Sequence, residues 1–289
     1  MFEFFKRKKE ENGVQVHKKV KIGLALGGGG ARGLGHIGAI KAFEELGVKF
    51  DYIAGTSAGS IIASLYAFGK SAKEMEDIAK GLRKKDITRG SIPFIKPANT
   101  EKLEEQLNKA FGDITVFSEM KIPLSVVCTD LKTGKEVDFD YGNVAKVVSA
   151  SCAVPGVFTP VVYEDMHLID GGLRNNVPAD VVKKMGANVV FAIDVNHLRG
   201  TGTESLSTIS VLSSTIGIMM QSKIDKTMEC ADLIFTPALE QFSPLKFFEN
   251  VDDMIKIGYD TVMANKDKIQ KMLGLNPKKI GKYFANDKK

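Results

Sequence analysis

Cysteine is scarce in this 289-residue chain, and the scarcity excludes two things. Cys128, Cys152 and Cys230 lie far apart in apolar surroundings. So sparse and odd a set fits buried, reduced thiols and not a disulfide framework. No CxxC and no Cys/His cluster occurs, so a metal site is not expected. Histidine is rare too, with four in all. Long apolar runs are missing: Tyr52 to Gly69, among the longest, is interrupted by Gly, Ser and Thr, and none reads as a membrane span. Nor is there the pattern of a secretory leader, because Met1 to Phe5 is too short for an apolar core and the basic block follows it. A cytoplasmic setting is the expectation. With no low-complexity tract, repeat or linker, and 44% hydrophobic residues, the chain reads as one domain with a core of its own.

The net charge of +5 is unevenly placed. Residues 1–21 hold seven basic residues against three acidic, and 264–289 hold eight against two, so the stretch between is acidic on balance. A nucleic-acid protein would carry its basic residues on the folded body, so no nucleic-acid partner is expected. Two readings of the ends stay open: solvated tails, or loose peripheral contact with an anionic surface such as the inner face of a membrane. Phe2, Phe4 and Phe5 beside Lys6-Arg7-Lys8-Lys9 suit the second.

Periodicity predicts strands over 20–26, 51–54, 122–128, 135–139, 157–162, 167–169, 189–195 and 231–236. It predicts helices over 36–46, 58–68, 71–84, 100–111, 143–150, 178–185, about 207–228 and 249–274. The helix over 58–68 is apolar nearly all round, which predicts burial. Alternation of strand and helix argues for an α/β fold, with a mostly parallel sheet covered by helices on both faces. The expected organisation is a basic arm over 1–19, a core over 20–195, and a helix-rich part of the same domain over 196–289 that ends in a basic tail.

Three glycine-bracketed motifs stand out. Gly27-Gly28-Gly29-Gly30-Ala31-Arg32-Gly33 follows a strand and precedes a helix. Such a loop offers backbone N–H groups and a helix N-terminus to an anion, either a phosphate or the oxyanion of an attacked carbonyl, with Arg32 as a nearby cation. Gly28, Gly30 and Gly33 also satisfy the dinucleotide pattern GxGxxG, and Asp51 lies at about the spacing of a ribose-binding acid. A nucleotide-binding regulator is therefore an alternative, although apolar residues follow Asp51 where that acid should end the strand. Gly55-Thr56-Ser57-Ala58-Gly59 matches GxSxG between a short strand and a buried helix, the setting of a nucleophile elbow. The third motif, Asp170-Gly171-Gly172, puts a carboxylate at a strand end, and taken alone it reads as an ordinary turn aspartate bonding its own backbone.

A serine hydroxyl needs a base. His17 lies in the arm, and His36 opens a helix whose positive end disfavours an imidazolium. His167 and His197 fall near strand ends, so a Ser57–His197–Asp170 triad, as in an esterase or thioesterase, is conceivable. Against it, the elbow comes after only two strands, directly behind a glycine-rich loop.

That layout resembles the patatin-like phospholipase family, through Gly27 to Gly33, Gly55 to Gly59 and Asp170 to Gly172 in that order. The resemblance extends through Ser151-Cys152-Ala153-Val154-Pro155-Gly156 and Asn175-Asn176-Val177-Pro178, and covers about 22–195 well. It implies a three-layer α/β sandwich and a lipid or fatty-acyl ester substrate. The implied site is a dyad without histidine: Ser57 as nucleophile, Asp170 taking its proton, and the N–H groups of Gly28, Gly29 and Gly30 forming an oxyanion hole. No cofactor is implied. An ordinary aspartate is a feeble base, so Asp170 is expected to be partly buried and within hydrogen-bond reach of Ser57. For the acyl chain, 211–220 is a candidate lid as readily as a core helix. Phe242, Leu245, Phe247 and Phe248 form a second apolar cluster with the same ambiguity.

Overall fold

A computed structural model describes residues 20–82, 97–113, 115–197, 215, 218, 227–244, 246 and 249–274. Short apolar segments between glycines become the strands of one mixed sheet. In chain order these are β1 (Ile22–Leu26), β2 (Tyr52–Thr56), β3 (Leu124–Asp130), β4 (Lys135–Phe139), β5 (Val161–Tyr163), β6 (Met166–Asp170), β7 (Val189–Ile193) and β8 (Leu233–Phe235). Their spatial order is β5-β6-β3-β2-β1-β7-β8, with β4 also on β3. The pairings from β3 through β2, β1 and β7 to β8 are parallel, and those of β4, β5 and β6 are antiparallel.

The helices are α1 (Leu34–Glu45), α2 (Ala58–Phe68), α3 (Ala72–Gly81), α4 (Glu101–Phe111), α5 (Val144–Ser151), α6 (Ala179–Lys184), α7 (Val251–Met263) and α8 (Lys266–Leu273). The two faces of the sheet differ in side-chain size. Leu24, Leu26, Ile53, Phe191 and Ile193 face the large core under α1, α2 and α5, where Phe43, Phe191 and Phe235 pack ring on ring. Ala25, Ala54 and Ala192 face the smaller core under α6. Strands buried on both sides read as continuous apolar runs, which is how they stand in the sequence.

One predicted helix is two. The expected 249–274 segment breaks at Ala264–Asn265, where the Asn265 side-chain amide donates to the Thr261 carbonyl at 3.0 Å. Such local bonding competes with the helical ladder. The predicted helix over 207–228 and the arm over 1–19, His17 included, lie outside the described residues, except for 215, 218, 227 and 228. Of the candidate lid, Thr215 and Ile218 are described, and both are exposed.

The register of β3 positions the site. A strand has two edges. β4 lies along one edge of β3 over 126–130. On the other edge, β2 pairs as far as Thr56↔Val127, and β6 takes over at Asp170↔Cys128. β2 and β6 therefore meet end to end, and the junction is Ser57 against Asp170.

Candidate active site

Ser57 follows β2 and caps α2, with φ 51° and ψ −127°. A non-glycine residue at positive φ costs about 1–3 kcal/mol and persists only where its surroundings hold it. Here the Ser57 N–H donates to Ser151 Oγ at 2.8 Å, and that hydroxyl donates to the Val127 carbonyl at 2.6 Å. Gly59 lets the elbow press onto β1, since a Cβ there would lie 2.2 Å from the Leu26 carbonyl oxygen. Gly171 does the same on the other side of the junction, where a Cβ would lie 2.1 Å from the Val127 oxygen.

Ser57 Oγ donates to Asp170 Oδ2 at 2.6 Å, and Asp170 Oδ1 accepts the Gly172 N–H at 2.8 Å. Asp170 is fully buried, more than the partial burial expected, and Ser57 is 7% exposed. Burial pushes the Asp170 carboxyl up to about 6, against the opposing pull of the Ser57 and Gly172 hydrogen bonds. The Cys152 thiol sits beside the Ser57 and Ser60 hydroxyls, and burial together with the Asp170 charge pushes it far above the usual thiol range. It stays protonated. Cys128 and Cys152 are buried free thiols as expected, whereas Cys230 is half-buried.

Of the glycine loop, Gly28 is corrected as an oxyanion donor, because its N–H is spent on the Asn176 carbonyl at 3.0 Å. Among the described residues, the N–H groups of Gly29 and Gly30 have no backbone acceptor. Arg32 is corrected as well. It is 7% exposed, and its guanidinium donates to the carbonyls of Phe242 (2.8 Å) and Glu240 (3.1 Å) and to Asn196 Oδ1 (2.8 Å). With Glu240 and Asp194 nearby, it straps the 240–244 segment to the loop instead of meeting a substrate anion. Phe242 is part-buried against the large core, while Leu245, Phe247 and Phe248 lie outside the described residues.

The histidines do not join the pair. His36 is fully buried, its Nε2 donates to the Gly27 carbonyl at 2.7 Å, and burial pulls its pKa down to about 4. His167 lies three residues before Asp170 on β6, which is about 10 Å along the strand. His197 Nδ1 faces Asp194 Oδ2 at 3.4 Å, so the Ser57–His197–Asp170 arrangement is not formed. The ribose-acid reading of Asp51 fails on register. β1 and β2 run parallel, and Asp51 accepts from the Ile22 N–H at 2.9 Å, at the end of the sheet opposite the glycine loop. Sequence reasoning passed over Ser151 and Asn176 as site residues, although both stand in the stretches that carried the resemblance.

A family model described as patatin-like phospholipase matches residues 24–183, more than half of the chain. The lysophospholipase nte1 of Aspergillus fumigatus is 34% identical over 183 residues, covering 61% of this chain and 12% of that protein. Patatin-like phospholipase domain-containing protein 6 of Mus musculus is 36% identical over 185 residues, covering 60% and 13%. An uncharacterized NTE family protein of Mycobacterium bovis is 34% identical over 179 residues, covering 61% and 49%. The chain thus matches between about an eighth and a half of these relatives' lengths. Among solved structures, VipD from Legionella pneumophila shares the fold, with a TM-score of 0.57 at 17% identity over 86% of this chain and 67% of that one. With its motifs, sheet and family match in agreement, the chain belongs to the patatin-like phospholipase family.

Proposed function

We propose that this chain is a lipid acyl-ester hydrolase, of phospholipase A, lysophospholipase or esterase type, working through Ser57 and Asp170. The observation that carries the reading is the 2.6 Å bond from Ser57 Oγ to a buried carboxylate. As Ser57 Oγ attacks the ester carbonyl, its proton passes to Asp170, and the carbonyl oxygen becomes an oxyanion facing the Gly29 and Gly30 N–H groups. Collapse of that intermediate breaks the ester bond. The leaving alkoxide takes the proton from Asp170, and the acyl group remains on Ser57. Water then attacks the acyl-enzyme, gives a proton to Asp170, and collapse frees the fatty acid and returns the proton to Ser57. A carboxyl near 6 suits both halves of this cycle, being ionised at neutral pH yet more basic than an ordinary aspartate. The names of the fungal and murine relatives support a phospholipid or lysophospholipid substrate. Among the described residues no helix is long and apolar enough to cross a membrane, and the basic ends favour loose contact with an anionic lipid surface.

Purified protein should hydrolyse a chromogenic fatty-acyl ester and lysophosphatidylcholine, and should label with a fluorophosphonate. Ser57→Ala should lose all three. A Ser57→Ala protein that keeps hydrolysis and labelling overturns the proposal.

A further inference from the structure

Backbone donors stabilise an oxyanion only if they are already aimed when the charge develops. A trans peptide unit places its C=O and N–H on opposite sides, so holding one end aims the other. The Gly27–Gly28 peptide is held at both ends: its C=O accepts from His36 Nε2 at 2.7 Å, and its N–H donates to the Asn176 carbonyl at 3.0 Å. The next peptide, Gly28–Gly29, is held at one end. Its C=O accepts from Asn176 Nδ2 at 3.3 Å, and its N–H, that of Gly29, projects away from Asn176. Asn176 is 2% exposed. A Cβ on Gly28 would lie 2.5 Å from Asn176 Oδ1 and 3.1 Å from Ser57 Cβ, so residue 28 is wedged between Asn176 and the nucleophile.

We propose that Asn176 is the positioning residue of the oxyanion hole: its side-chain amide, by holding the Gly28 carbonyl, aims the Gly29 N–H at the acyl oxygen. This rests on the acyl-hydrolase reading above. Asn176 grips Gly28 twice, its main chain on the N–H and its side chain on the C=O. Substitution removes only the second grip, which makes the role separable. Its neighbour Asn175 works elsewhere: its carbonyl accepts from Thr56 Oγ1, and its amide bridges Glu136 and Asp180.

The test uses the Asn176→Leu variant of this chain, which keeps the volume and removes the donor, and Asn176→Ala. Fluorophosphonate labelling taken to completion counts competent Ser57, and a trifluoromethyl ketone, whose adduct oxygen mimics the oxyanion, reports on the hole. The expected result is a kcat per labelled site lower by about 10–100-fold, since mis-aiming a donor removes part of what deleting one removes. KM should move by less than about threefold, and ketone affinity should fall in step with kcat. An unchanged kcat per labelled site, with only yield or Tm reduced, overturns the proposal and leaves Asn176 a structural residue. Should the Asn176 variants not fold, Gly28→Ala dislodges the same amide and should show the same kcat and ketone losses; unchanged values again overturn it. Wild-type protein and Ser57→Ala behaving alike overturns the acyl-hydrolase reading instead, and this proposal with it.

Discussion

Asp170 and Asp194 are two buried aspartates at the carboxyl end of the same sheet, and their surroundings differ. Both side chains are inaccessible, and burial raises both carboxyls. Asp194 accepts the Asn196 N–H at 3.0 Å, faces the His197 ring at 3.4 Å and lies near the Arg32 guanidinium, and these pull it back toward the ionised form. Asp170 has only neutral donors, the Ser57 hydroxyl and the Gly172 N–H. A carboxylate with a guanidinium nearby makes a poor base, whereas one held by neutral donors alone in a dry site keeps its appetite for a proton. The contrast also explains why His197 failed as a candidate base: Asp194, three residues before it, claims it first.

The largest expected effect separates the two carboxylates by activity. Asp170→Asn should lower kcat by about 10²–10⁴-fold, the usual worth of a general base, while Asp194→Asn should lower it by less than about tenfold. Equal losses in kinetic assays would break the comparison. Next is the pH profile: kcat/KM should fall as pH drops through about 6, where Asp170 takes up a proton, and should stay level above it. An acid limb at the position of an ordinary aspartate would show that burial does not tune this group.

Stability sharpens the contrast further. The folded carboxyl of Asp170 is raised from 3.8 to about 6, so the native state holds its proton more tightly than the unfolded chain does. Ionising it at neutral pH therefore weakens the fold, by about 2–3 kcal/mol at 1.36 kcal/mol per pKa unit. Asp170→Asn should raise the urea-unfolding free energy by about that much at pH 7, and the gain should vanish between pH 6 and pH 4. His36 has the opposite sign. Its folded pKa is pulled from 6.5 down to about 4, so its contribution is present above 6.5 and is lost as pH falls toward 4. Asp170→Asn should therefore lose stability on acidification more steeply than wild type. The smallest effect belongs to the Asp194 side: Arg32→Lys cannot reproduce three separate hydrogen bonds and should cost about 1–3 kcal/mol in Tm-derived stability, with kcat per labelled site within about threefold of wild type.

Much of this was legible in the chain. The helix over 58–68 matches α2 residue for residue, and the strand over 135–139 matches β4, because short segments bounded by glycine and turn residues leave little choice of ends. Ser57 and Asp170 could be named because each stands in a glycine-flanked turn at a strand end. The antiparallel run of β6 could not be read, since pairing partners lie far away in sequence and direction leaves no local trace. The roles of Ser151 and Asn176 were hidden for a related reason. They bond Ser57 and Gly28 from 94 and 148 residues away, and although their stretches carried the resemblance, nothing in them names the partner. Arg32 misled because a cation beside a glycine loop looks the same whether it meets an anion or a ring of carbonyls.

Ser57 and Asp170 lie 113 residues apart, yet each needs only its own place on the seven residues of β3. β3 serves as a ruler. A one-residue slip of β2 or β6 along it would shift a side chain by about 3.3 Å and turn it to the other face, so the pair exists in one register and no other. The converse is tolerance. Of the segments that join β2 to β3 and β4 to β5, only the parts apart from α2, which carries the elbow, and α5, which carries Ser151, leave the reacting distance unmeasured.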